Sequence, residues 1–534
     1  MRRVFLPLAL GLALAALVLL VHRESPRTLV SAHGLLHAAI AERYRTGIGA
    51  SFPPENPYFA GEPLPYYWAF QWTGAKLSLL LGIDPLHAFE LLVLLGLLAL
   101  VFACAELGRS LFGSVWAGLG IAWLALAGAL PQGALVLLAR LPSWGMPADD
   151  GGYLWGIVHP VTRMMRVTDE FSMYGPLFPF FENSTARPLG LALLAVLLLA
   201  ARSFLVRPTP SRGAMLAVSA ALLGCASSLL ALAAGSAFAA CLLLVSRRAA
   251  LLAAGAIVLG VAASLPTWRH LLGTVPLAFH DLPDVARQLG RMTESGWLIA
   301  ALACFGLRGT HGQARPFLQA CACAALLLAA GCAVLALPVG NEDNLFHGAL
   351  VLLAVPAAAL VFATPRKAWI AAAFLPTLCV QVGATFGRPP VDLAFEGGRI
   401  VRADADGPEA RVEQWIRAST DARAVLVIDP APPIQAAAGN SAELPALTGR
   451  ALFTERAGHY LVAPNQDGAR RAEIASRLAT GEELAADEDA LVAALGRDVF
   501  VVCREPAKES ALEHRQGPAL FRAEPLSVFR WRPR

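Results

Sequence analysis

Long runs of leucine, alanine and valine recur from Leu6 to about Ala384, and they constrain the fold more than any other feature of the chain. Many of these runs approach the about 20 residues that a helix needs to cross the hydrocarbon core of a bilayer. The mean hydropathy of the 534-residue chain is +0.56, and 56% of its residues are hydrophobic. A soluble fold of this size does not need so much apolar surface. The sequence therefore predicts a polytopic membrane protein.

Basic residues mark one set of short segments between the apolar runs. These segments contain no acidic residue, and their basic residues are Arg2, Arg3, Arg109, Arg202, Arg207, Arg212, Arg247, Arg248, Arg308, Arg315, Arg366 and Lys367. Short loops rich in Lys and Arg stay on the cytoplasmic side of a membrane. Placing all of these segments inside predicts about eleven transmembrane helices. Their predicted spans are 4–22, 86–106, 113–132, 187–205, 213–230, 231–246, 249–266, 296–308, 316–338, 346–364 and 368–386.

The acidic residues fall on the opposite side of this topology. We predict a cytoplasmic N-terminus and outer loops at about residues 23–85, 133–186, 267–295 and 339–345. If residues 66–82 also crossed the membrane, every later basic segment would face outward. Their Tyr, Trp, Gln and Lys side chains predict instead a juxtamembrane or re-entrant segment on the outer face. The apolar run after Met-Arg-Arg is predicted to be an uncleaved anchor.

The last part of the chain has a different composition. Residues 388–534 hold 19 of the 43 Lys and Arg and 22 of the 39 Asp and Glu, although they are the smaller part of the sequence. Residue periodicity predicts helices at 409–419, 469–481 and 487–496, strands at 422–430 and 498–503, and one or two strands at 519–531. We therefore predict a transmembrane domain over 1–387 and a soluble α/β domain over 388–534. The odd helix count places the second domain outside, in the periplasm.

An unusual stretch, SFPPENPYFAGEPLPYYW at residues 51–68, lies in the first outer loop. Its prolines exclude a long helix, and its aromatic residues distinguish it from a plain linker. The preceding SAHGLLHAAIAERYRTG places its leucines and isoleucine on one helix face and Glu42 and Arg43 on another. This pattern predicts a short amphipathic helix that lies on the membrane.

These elements carry a resemblance to a known family. They are the anchor helix, a loop helix with His37, Pro-Pro-Glu-Asn-Pro-Tyr-Phe-Ala-Gly at 53–61 and Pro-Leu-Pro-Tyr-Tyr-Trp at 63–68. Their order resembles the first outer loop of bacterial multi-pass proteins of the GT-C glycosyltransferase superfamily. Its members include protein mannosyltransferases, aminoarabinose transferases and oligosaccharyltransferase catalytic subunits. Asn-Glu-Asp-Asn at 341–344, and WIRAS, VLVID and DVFVVC in the tail, look similar too, and the double Tyr looks like uncharacterised families grouped with this superfamily.

The resemblance implies a GT-C-like transmembrane domain and an enzyme that transfers a hexose or pentose. The implied donor is a polyprenyl-phosphate sugar, and the acceptor is a lipid, a glycan or a protein at the outer face of the bacterial inner membrane. Membrane lipids are the other expected partners. The family commonly has a first-loop acid as base or metal ligand, which makes a divalent cation, Mg²⁺ or Mn²⁺, a candidate cofactor. The expected Asp four residues before His37 is His33 in this sequence.

Candidate catalytic residues lie in the first outer loop. Inverting sugar transfer needs a carboxylate that deprotonates the acceptor hydroxyl, and cations or a metal that stabilise the departing phosphate. Glu55 is the first candidate base because neighbouring prolines restrain its backbone; a solvated acid or a helix cap is the alternative. His33 and His37 share a helix face and are candidates for catalysis or for binding phosphate, metal or acceptor. Histidines with ordinary interfacial hydrogen bonds are the alternative.

Further polar and aromatic residues of the outer loops are candidates for substrate binding. They are Asn56, Glu62, Tyr66, Tyr67 and Trp68 in the first loop, Arg163, Arg166 and Asp169 in the second, and Glu342, Asp343 and Asn344 between two late helices. Aromatic rings suit a sugar or a prenyl chain, and arginines suit a phosphate. An aromatic belt at the membrane surface and solvated loop acids are the alternatives.

A second hypothesis belongs to another class, a non-catalytic polytopic protein such as a lipid or glycan transporter or an assembly scaffold. Transporters often have internal repeats and ionisable residues deep in their helices, and the sequence shows neither clearly. This favours the enzyme, whereas His33 at the place of the expected Asp favours the second hypothesis. The chain has no basic tract of the kind that binds nucleic acid, so no nucleic-acid partner is predicted.

Overall fold

The computed structural model describes residues 2–24, 34–47, 51–64, 68–129, 177–178, 181, 185–243, 247–271, 278–337, 343–363, 372, 374–375, 393–396, 399–428, 443–454 and 468–532. The chain divides into two compact units. The first unit combines Met1–Thr28, Leu91–Pro266 and Pro276–Pro389, and the second combines Leu29–Glu90, Thr267–Val275 and Pro390–Arg534. Most of the predicted first outer loop and the C-terminal segment thus belong to one unit.

Helices dominate the described chain. In order they are α1 (Arg2–Glu24), α2 (Gly34–Arg45), α3 (Ala69–Leu81), α4 (Pro85–Phe112), α5 (Val115–Ala127), α6 (Ala186–Val206), α7 (Pro210–Ala226), α8 (Ser236–Leu243), α9 (Arg247–Ser264), α10 (Leu282–Gly309), α11 (Arg315–Val334), α12 (Asp343–Ala363), α13 (Pro408–Ser419), α14 (Glu443–Thr448), α15 (Gly468–Thr480), α16 (Ala486–Ala493) and α17 (Pro506–Gln516). One helical turn, Ser228–Leu230, and a π-helical turn, Ala231–Gly235, lead into α8.

Six described helices are long and apolar enough to cross a membrane, and they confirm a multi-pass membrane protein. They are Val4–Arg23, Pro85–Phe112, Ala186–Val206, Arg248–Thr267, Gly312–Val334 and Asp343–Phe362; shorter apolar helices cover Val115–Ala127, Pro210–Ala226 and Ser228–Leu243. Each predicted span from 4–22 to 346–364 overlaps a described helix. Nearly all of the last predicted span, 368–386, lies outside the described residues. The total of about eleven helices therefore stays a prediction.

Helix α10 is longer than the apolar span predicted at 296–308. It begins at Leu282, where the side chain of Asp281 accepts a hydrogen bond from the backbone N–H of Asp284, 2.8 Å away. Hydropathy marks only the apolar end of this helix, since its first half carries charged residues. The capping side chain, which satisfies a backbone N–H of the first turn, is the signal that marks the true start.

Glycines let the helices of the first unit approach closely. A Cβ atom on Gly108 of α4 would lie 2.1 Å from the backbone nitrogen of Gly118 in α5. A Cβ atom on Gly306 of α10 would lie 2.0 Å from the carbonyl oxygen of Pro356 in α12. Packing of this kind brings backbones together where no larger side chain fits, as is common between membrane helices.

The second unit contains a five-stranded sheet. All described strands, in chain order, are β1 (Ala278–Phe279), β2 (Leu335–Ala336), β3 (Leu393–Glu396), β4 (Arg399–Arg402), β5 (Val425–Ile428), β6 (Ala451–Leu452), β7 (Val499–Cys503), β8 (Phe521–Ala523) and β9 (Leu526–Arg530). The sheet has the order β6-β5-β7-β9-β8; β5 is parallel to β6 and β7, and β9 is antiparallel to β7 and β8. The two other strand pairs, β1–β2 and β3–β4, are antiparallel.

The composition of the central strands explains their position. Every residue of β5 and β7 is buried, as expected for parallel strands that are covered on both faces. Side chains of α15, α16 and α17 pack on them in one core, which also contains Ala60 of the predicted first outer loop. The predicted α/β character of the tail is confirmed, since its predicted helices and strands are all found. The short elements β3, β4, β6, α14 and α17 were not predicted.

Helix α2 is confirmed as a helix, but its predicted amphipathic position is wrong. Nearly all of its residues are buried, and Arg43, expected on the polar face, is completely buried. Neighbours of α2 in the second unit include α3 and α14. The helix is covered on several sides because segments distant in sequence pack around it.

Asp84 links the start of α4 to the β3–β4 hairpin. Its Oδ1 accepts a hydrogen bond from the backbone N–H of Leu86, and its Oδ2 accepts one from the backbone N–H of Ile400, each over 2.8 Å. The carboxyl group is 2% exposed. Asp84 therefore satisfies one N–H of the first turn of α4 and one of β4 at the same time.

Candidate functional site

Residues 54–64, in the predicted first outer loop, form a tight hairpin. The backbone N–H of Asn56 donates to the Glu62 carbonyl over 2.8 Å, and that of Leu64 donates to the Pro54 carbonyl over 2.9 Å. The hairpin continues the sheet beyond its edge strand β6. Leu452 donates to the carbonyl of Pro57 and accepts from the N–H of Ala60, both over 2.8 Å. The prolines thus shape a loop that pairs with the sheet edge.

The Glu55 carboxylate is the charged centre of this hairpin. Its Oε2 forms an ion pair with Arg43 of α2, and its Oε1 forms an ion pair with Arg497, two residues before β7. The same Oε1 accepts a hydrogen bond from the backbone N–H of Gly61 over 2.7 Å. Arg43 also donates to the carbonyl of Gly449 over 3.4 Å. Both oxygens of Glu55 are therefore engaged by cations.

The electrostatic balance at Glu55 favours the ionised carboxylate. Burial raises its pKa, but Arg43, the Gly61 N–H and Arg497 together outweigh burial and lower the pKa below the ordinary glutamate value. A general base works best with a pKa near the operating pH and a free lone pair. The contacts of Glu55 therefore suit a structural ion pair that joins the hairpin to Arg43 and Arg497 better than a general base. The assignment of Glu55 as catalytic base stays a prediction.

Arg471 of α15 holds the tip of the same hairpin. Its guanidinium carbon lies 4.1 Å from the ring centroid of Phe59 and 5.1 Å from that of Phe453. Its Nη1 donates to the carbonyl of Ala60 over 2.6 Å. Its Nη2 lies 3.6 Å from the carboxylate of Glu62, one of the predicted binding residues. A planar guanidinium suits this position because it stacks on rings and donates in its own plane.

His37 is buried within the protein and does not lie on the surface. It is 1% exposed. The amide nitrogen of Gln71 in α3 donates to its Nδ1 over 2.7 Å, which assigns the ring proton to Nε2. The edges of the ring face Phe70 and Phe89 at centroid distances of 5.6 and 6.1 Å. The structure thus orients this imidazole through α3 and α4.

Trp68 belongs to a group of three rings that we call the aromatic trio: Tyr44 of α2, Phe52 and Trp68. The ring centroids of Phe52 and Trp68 are 4.4 Å apart. Tyr44 lies 6.1 Å from Phe52 and 6.5 Å from Trp68. Phe52 is 55% exposed and Tyr44 is 5% exposed, so the trio passes from the surface into the protein.

A second polar group lies in the first unit, where α6 and α12 begin. Arg187 forms a two-pronged ion pair with Asp343: Nη1 lies 2.7 Å from Oδ2, and Nη2 lies 3.2 Å from Oδ1. Asn344 is buried next to Asp343, and His347, completely buried, follows one turn later on α12. A buried carboxylate such as that of Asp343 is costly unless it is paired, and Arg187 supplies the counter-charge.

The predicted site residues thus fall into two described groups and one undescribed set. Glu55, Asn56, Glu62, His37 and Trp68 lie in the second unit, and Asp343 and Asn344 lie in the first. His33, Tyr66, Tyr67, Arg163, Arg166, Asp169 and Glu342 lie outside the described residues. The predicted roles of all these residues stay predictions.

Sequence reasoning missed the partners of the predicted residues. These partners are Arg43, Arg497, Gln71 and Arg187, and the completely buried His347 was missed as well. His347 had a detectable signal, since it lies four residues after Asp343 and so faces the same side of a helix. Arg497 had none, because nothing in its local sequence distinguishes it from other surface arginines.

A divalent metal stays a candidate cofactor. Within the described ranges, no group of three or more His, Cys, Asp or Glu side chains is placed to hold a metal ion. The described carboxylates of the predicted site contact arginines instead. We therefore derive no chemical step through a metal.

No protein-family model matches this sequence, and no curated protein matches it. Among solved structures, the chain is similar to ArnT from Cupriavidus metallidurans in the apo state, with a TM-score of 0.53 and 12% identity over 99% of this chain and 97% of that chain. The crystal structure of that ArnT bound to undecaprenyl phosphate gives a TM-score of 0.52 and 13% identity over 98% and 97%. ArnT is a GT-C aminoarabinose transferase. The fold that the resemblance implies is confirmed: over nearly its whole length, this chain has a fold similar to that of ArnT.

Proposed function

We propose that the protein is a membrane glycosyltransferase that takes a sugar from a polyprenyl-phosphate donor. One observation carries this proposal: the fold matches ArnT along almost the whole chain, and that ArnT has been crystallised with undecaprenyl phosphate. Similarity that covers the membrane helices and the α/β unit together favours a shared use of the fold over a chance likeness of helix bundles. The proposed donor is therefore a lipid phosphate that carries a hexose or a pentose.

The proposed acceptor is a lipid, a glycan or a protein at the outer face of the bacterial inner membrane. The support is the charge pattern, which places the short basic segments in the cytoplasm and the long acidic loops outside. In this topology the N-terminus is cytoplasmic and the α/β domain, residues 388–534, is periplasmic. The lipid phosphate of a donor would lie at the membrane surface, within reach of the outer loops.

The transfer requires an attack by an acceptor oxygen on the anomeric carbon. A base takes the proton of the acceptor hydroxyl, and the sugar–phosphate bond breaks with its electron pair on the phosphate oxygen. Cations that face this oxygen stabilise the departing charge. Arg187 is suited to this role, since its side chain is 21% exposed and its planar fork matches phosphate geometry. Asp343 would orient the Arg187 guanidinium until a phosphate binds to it.

The experiment is sugar transfer by the purified protein in lipid nanodiscs. It is supplied with a panel of undecaprenyl-phosphate hexoses and pentoses, with and without Mg²⁺ or Mn²⁺, and released undecaprenyl phosphate is measured. Protein-dependent release supports the proposal. Arg187→Met tests the phosphate role, and Arg109→Met, which changes an arginine in an exposed ion pair of the same unit, is the matched control. Activity is expressed per folded molecule, so that loss of fold is not counted as loss of chemistry.

Glu55→Gln belongs in the same assay. If Glu55 is the base, turnover per folded molecule disappears although the protein still binds undecaprenyl phosphate. If Glu55 serves only in structural ion pairs, turnover falls in proportion to the loss of folded protein. Retained turnover in folded Glu55→Gln would direct the search for the base to the other predicted acids.

A second candidate function has one observation in its favour. The described acids of the predicted site, Glu55, Glu62 and Asp343, all contact arginines, which suits a transporter or scaffold that binds a lipid without chemistry. Binding of undecaprenyl phosphate by folded protein, without release from any donor of the panel, would favour this candidate.

A further inference from the structure

Five arginines lie in or beside two turns of the first unit, the turn between α6 and α7 and the turn between α10 and α11. They are Arg202, Arg207, Arg212, Arg308 and Arg315. The linking residues 207–209 and 310–314 contain no acid. Within the described residues, none of the five arginines forms an ion pair with a carboxylate. Positive charge that is not balanced inside a protein attracts anions from outside.

The two turns are in contact with each other. Arg202, near the end of α6, donates from Nη1 to the carbonyl of Gln313, between α10 and α11, over 3.4 Å. Arg212 donates from Nη1 to the carbonyl of Ser203 over 2.9 Å, which holds the first turn of α7 against the end of α6. The exposed arginines that these adjoining turns carry are Arg207, Arg308 and Arg315.

The length of α6 sets the level of these turns relative to the membrane. The helix has 21 residues, which at about 1.5 Å per residue is about 30 Å, the thickness of the hydrocarbon core. Arg187 lies in its first turn, and Arg207 directly follows its last residue. The exposed arginines therefore lie at the level of lipid headgroups, on the side opposite to the ion pair of Arg187 and Asp343.

Apolar side chains lie next to the exposed arginines. Val206, the neighbour of Arg207, is 56% exposed, and Phe305, one turn before Arg308, is 54% exposed. The guanidinium carbon of Arg308 lies 5.9 Å from the centroid of the Phe305 ring. An anion that carries apolar chains suits both kinds of side chain, whereas a free phosphate ion would leave the apolar ones in water. This arrangement favours a lipid over a free ion.

We propose that the two turns bind the headgroup phosphate of an anionic membrane phospholipid, with Arg207, Arg308 and Arg315 as its ligands. A planar guanidinium donates two parallel hydrogen bonds to a phosphate. The site goes beyond the proposed function, because its lipid lies on the side of the membrane opposite to Arg187 and is neither donor nor acceptor. Each arginine near an anionic lipid surface raises affinity about fivefold.

The test measures phospholipid binding by the full-length protein in detergent, with retained lipid counted by native mass spectrometry. The probes are phosphatidylglycerol and phosphatidylcholine with the same acyl chains. The wild-type protein is expected to prefer phosphatidylglycerol, and inorganic phosphate at matched ionic strength is expected not to displace it. Equal retention of the two lipids, or displacement by inorganic phosphate, would overturn the proposal.

Substitution of the three arginines locates the site. Arg207→Gln, Arg308→Gln and Arg315→Gln should each weaken phosphatidylglycerol binding about fivefold, and the triple variant should lose the preference over phosphatidylcholine. Arg109→Gln is the matched control, since it removes an exposed arginine of the same unit that is already paired with Glu106. Equal weakening by the control would show attraction by total charge alone and would refute a site at the two turns.

Two further measurements separate this site from the donor site and from a loss of fold. The triple variant should bind undecaprenyl phosphate as the wild type does; equal weakening of both lipids would assign the arginines to the polyprenyl phosphate and would overturn the proposal. In nanodiscs, phosphatidylglycerol should raise the Tm of the wild type and not that of the triple variant. If the triple variant does not fold, the single variants and Arg109→Gln decide the question. Absence of sugar transfer would refute the proposed function and leave this site standing.

Discussion

Glu55 and Arg497 form an ion pair although 442 positions separate them in the sequence. Arg43, twelve positions from Glu55, holds the other carboxylate oxygen. The hairpin at residues 54–64 is thus tied to helix α2 through Arg43 and to Arg497, two residues before β7. Its conformation therefore depends on a contact with a residue that lies 442 positions later in the chain.

Glu55→Gln should destabilise the second unit by about 3 kcal/mol, because it leaves the completely buried guanidinium of Arg43 without its counter-charge. Chemical unfolding followed by the fluorescence of the tryptophans measures this change. The matched control is Asp498→Asn, which removes the exposed ion pair between Asp498 and Arg530 in the same unit. The control should cost about 0.5 kcal/mol or less. Equal effects of the two variants would contradict the central role of Glu55.

Low pH should weaken the ion pairs of Glu55 with Arg43 and Arg497. The pKa of Glu55 is lowered in the folded protein, so its ionised form contributes stability above the ordinary glutamate pKa of 4.5, and this contribution is lost as the pH falls through the lower folded value. The wild-type Tm should therefore fall more steeply below about pH 4.5 than that of Glu55→Gln. Parallel Tm curves for the two proteins between pH 6 and pH 3 would argue against this linkage.

Asp84 should give the opposite pH dependence of stability, with a loss as the pH rises. Burial raises its pKa to about 6 from 3.8, although the N–H groups of Leu86 and Ile400 oppose the shift. The folded state favours the protonated form of Asp84. The contribution of Asp84 to the free energy of unfolding is therefore greatest below about pH 4, and it is lost as the pH rises through about 6. The full effect is about 3 kcal/mol. Nearby Glu42 raises this pKa and Arg45 lowers it.

The measurement for Asp84 is the stability of Asp84→Asn between pH 4 and pH 7. Asparagine cannot titrate, and it can accept only one of the two backbone hydrogen bonds. The variant should therefore lack the decline between about pH 4 and 6, and at pH 4 it should be less stable than the wild type by about 1–3 kcal/mol. An unchanged decline in the variant would assign the pH dependence to another group.

The pair of Arg187 and Asp343 should show strong coupling. A double-mutant cycle with Arg187→Gln and Asp343→Asn is expected to give a coupling free energy of about 1–3 kcal/mol, since the carboxylate is almost fully buried and both prongs of the guanidinium are engaged. The control cycle uses Arg109 and Glu106, whose side chains are 48% and 40% exposed. That cycle should give about 0.5 kcal/mol or less. Thermal unfolding in nanodiscs measures both cycles.

Much of the helical architecture could be predicted from the sequence. A bilayer requires apolar runs of a certain length, so spans such as 187–205 and 346–364 appear in the hydropathy and are found as α6 and α12. The α/β unit was equally visible, because the buried central strands β5 and β7 are continuous apolar runs. These features depend on residues that are neighbours in the chain.

The environment of the candidate site could not be predicted in the same way. The residue pattern of α2 predicted a helix with one solvent-exposed face. In the structure Arg43 is completely buried and forms an ion pair with Glu55. Glu55 was recognised as important, yet its two cations came from α2 and from Arg497. The aromatic trio also contains Tyr44 and Phe52, which the motif around Trp68 did not single out.

The sequence by itself determined that this chain crosses a membrane several times and carries an α/β segment after its apolar runs. Apolar run length and local periodicity determine these features, because the bilayer and the backbone act on each segment separately. Only the tertiary structure decided which charges meet at Glu55, which carboxylate holds Arg187 and which turn Arg202 contacts. Such contacts join residues that are far apart in the chain, and their partners are set by how whole elements pack.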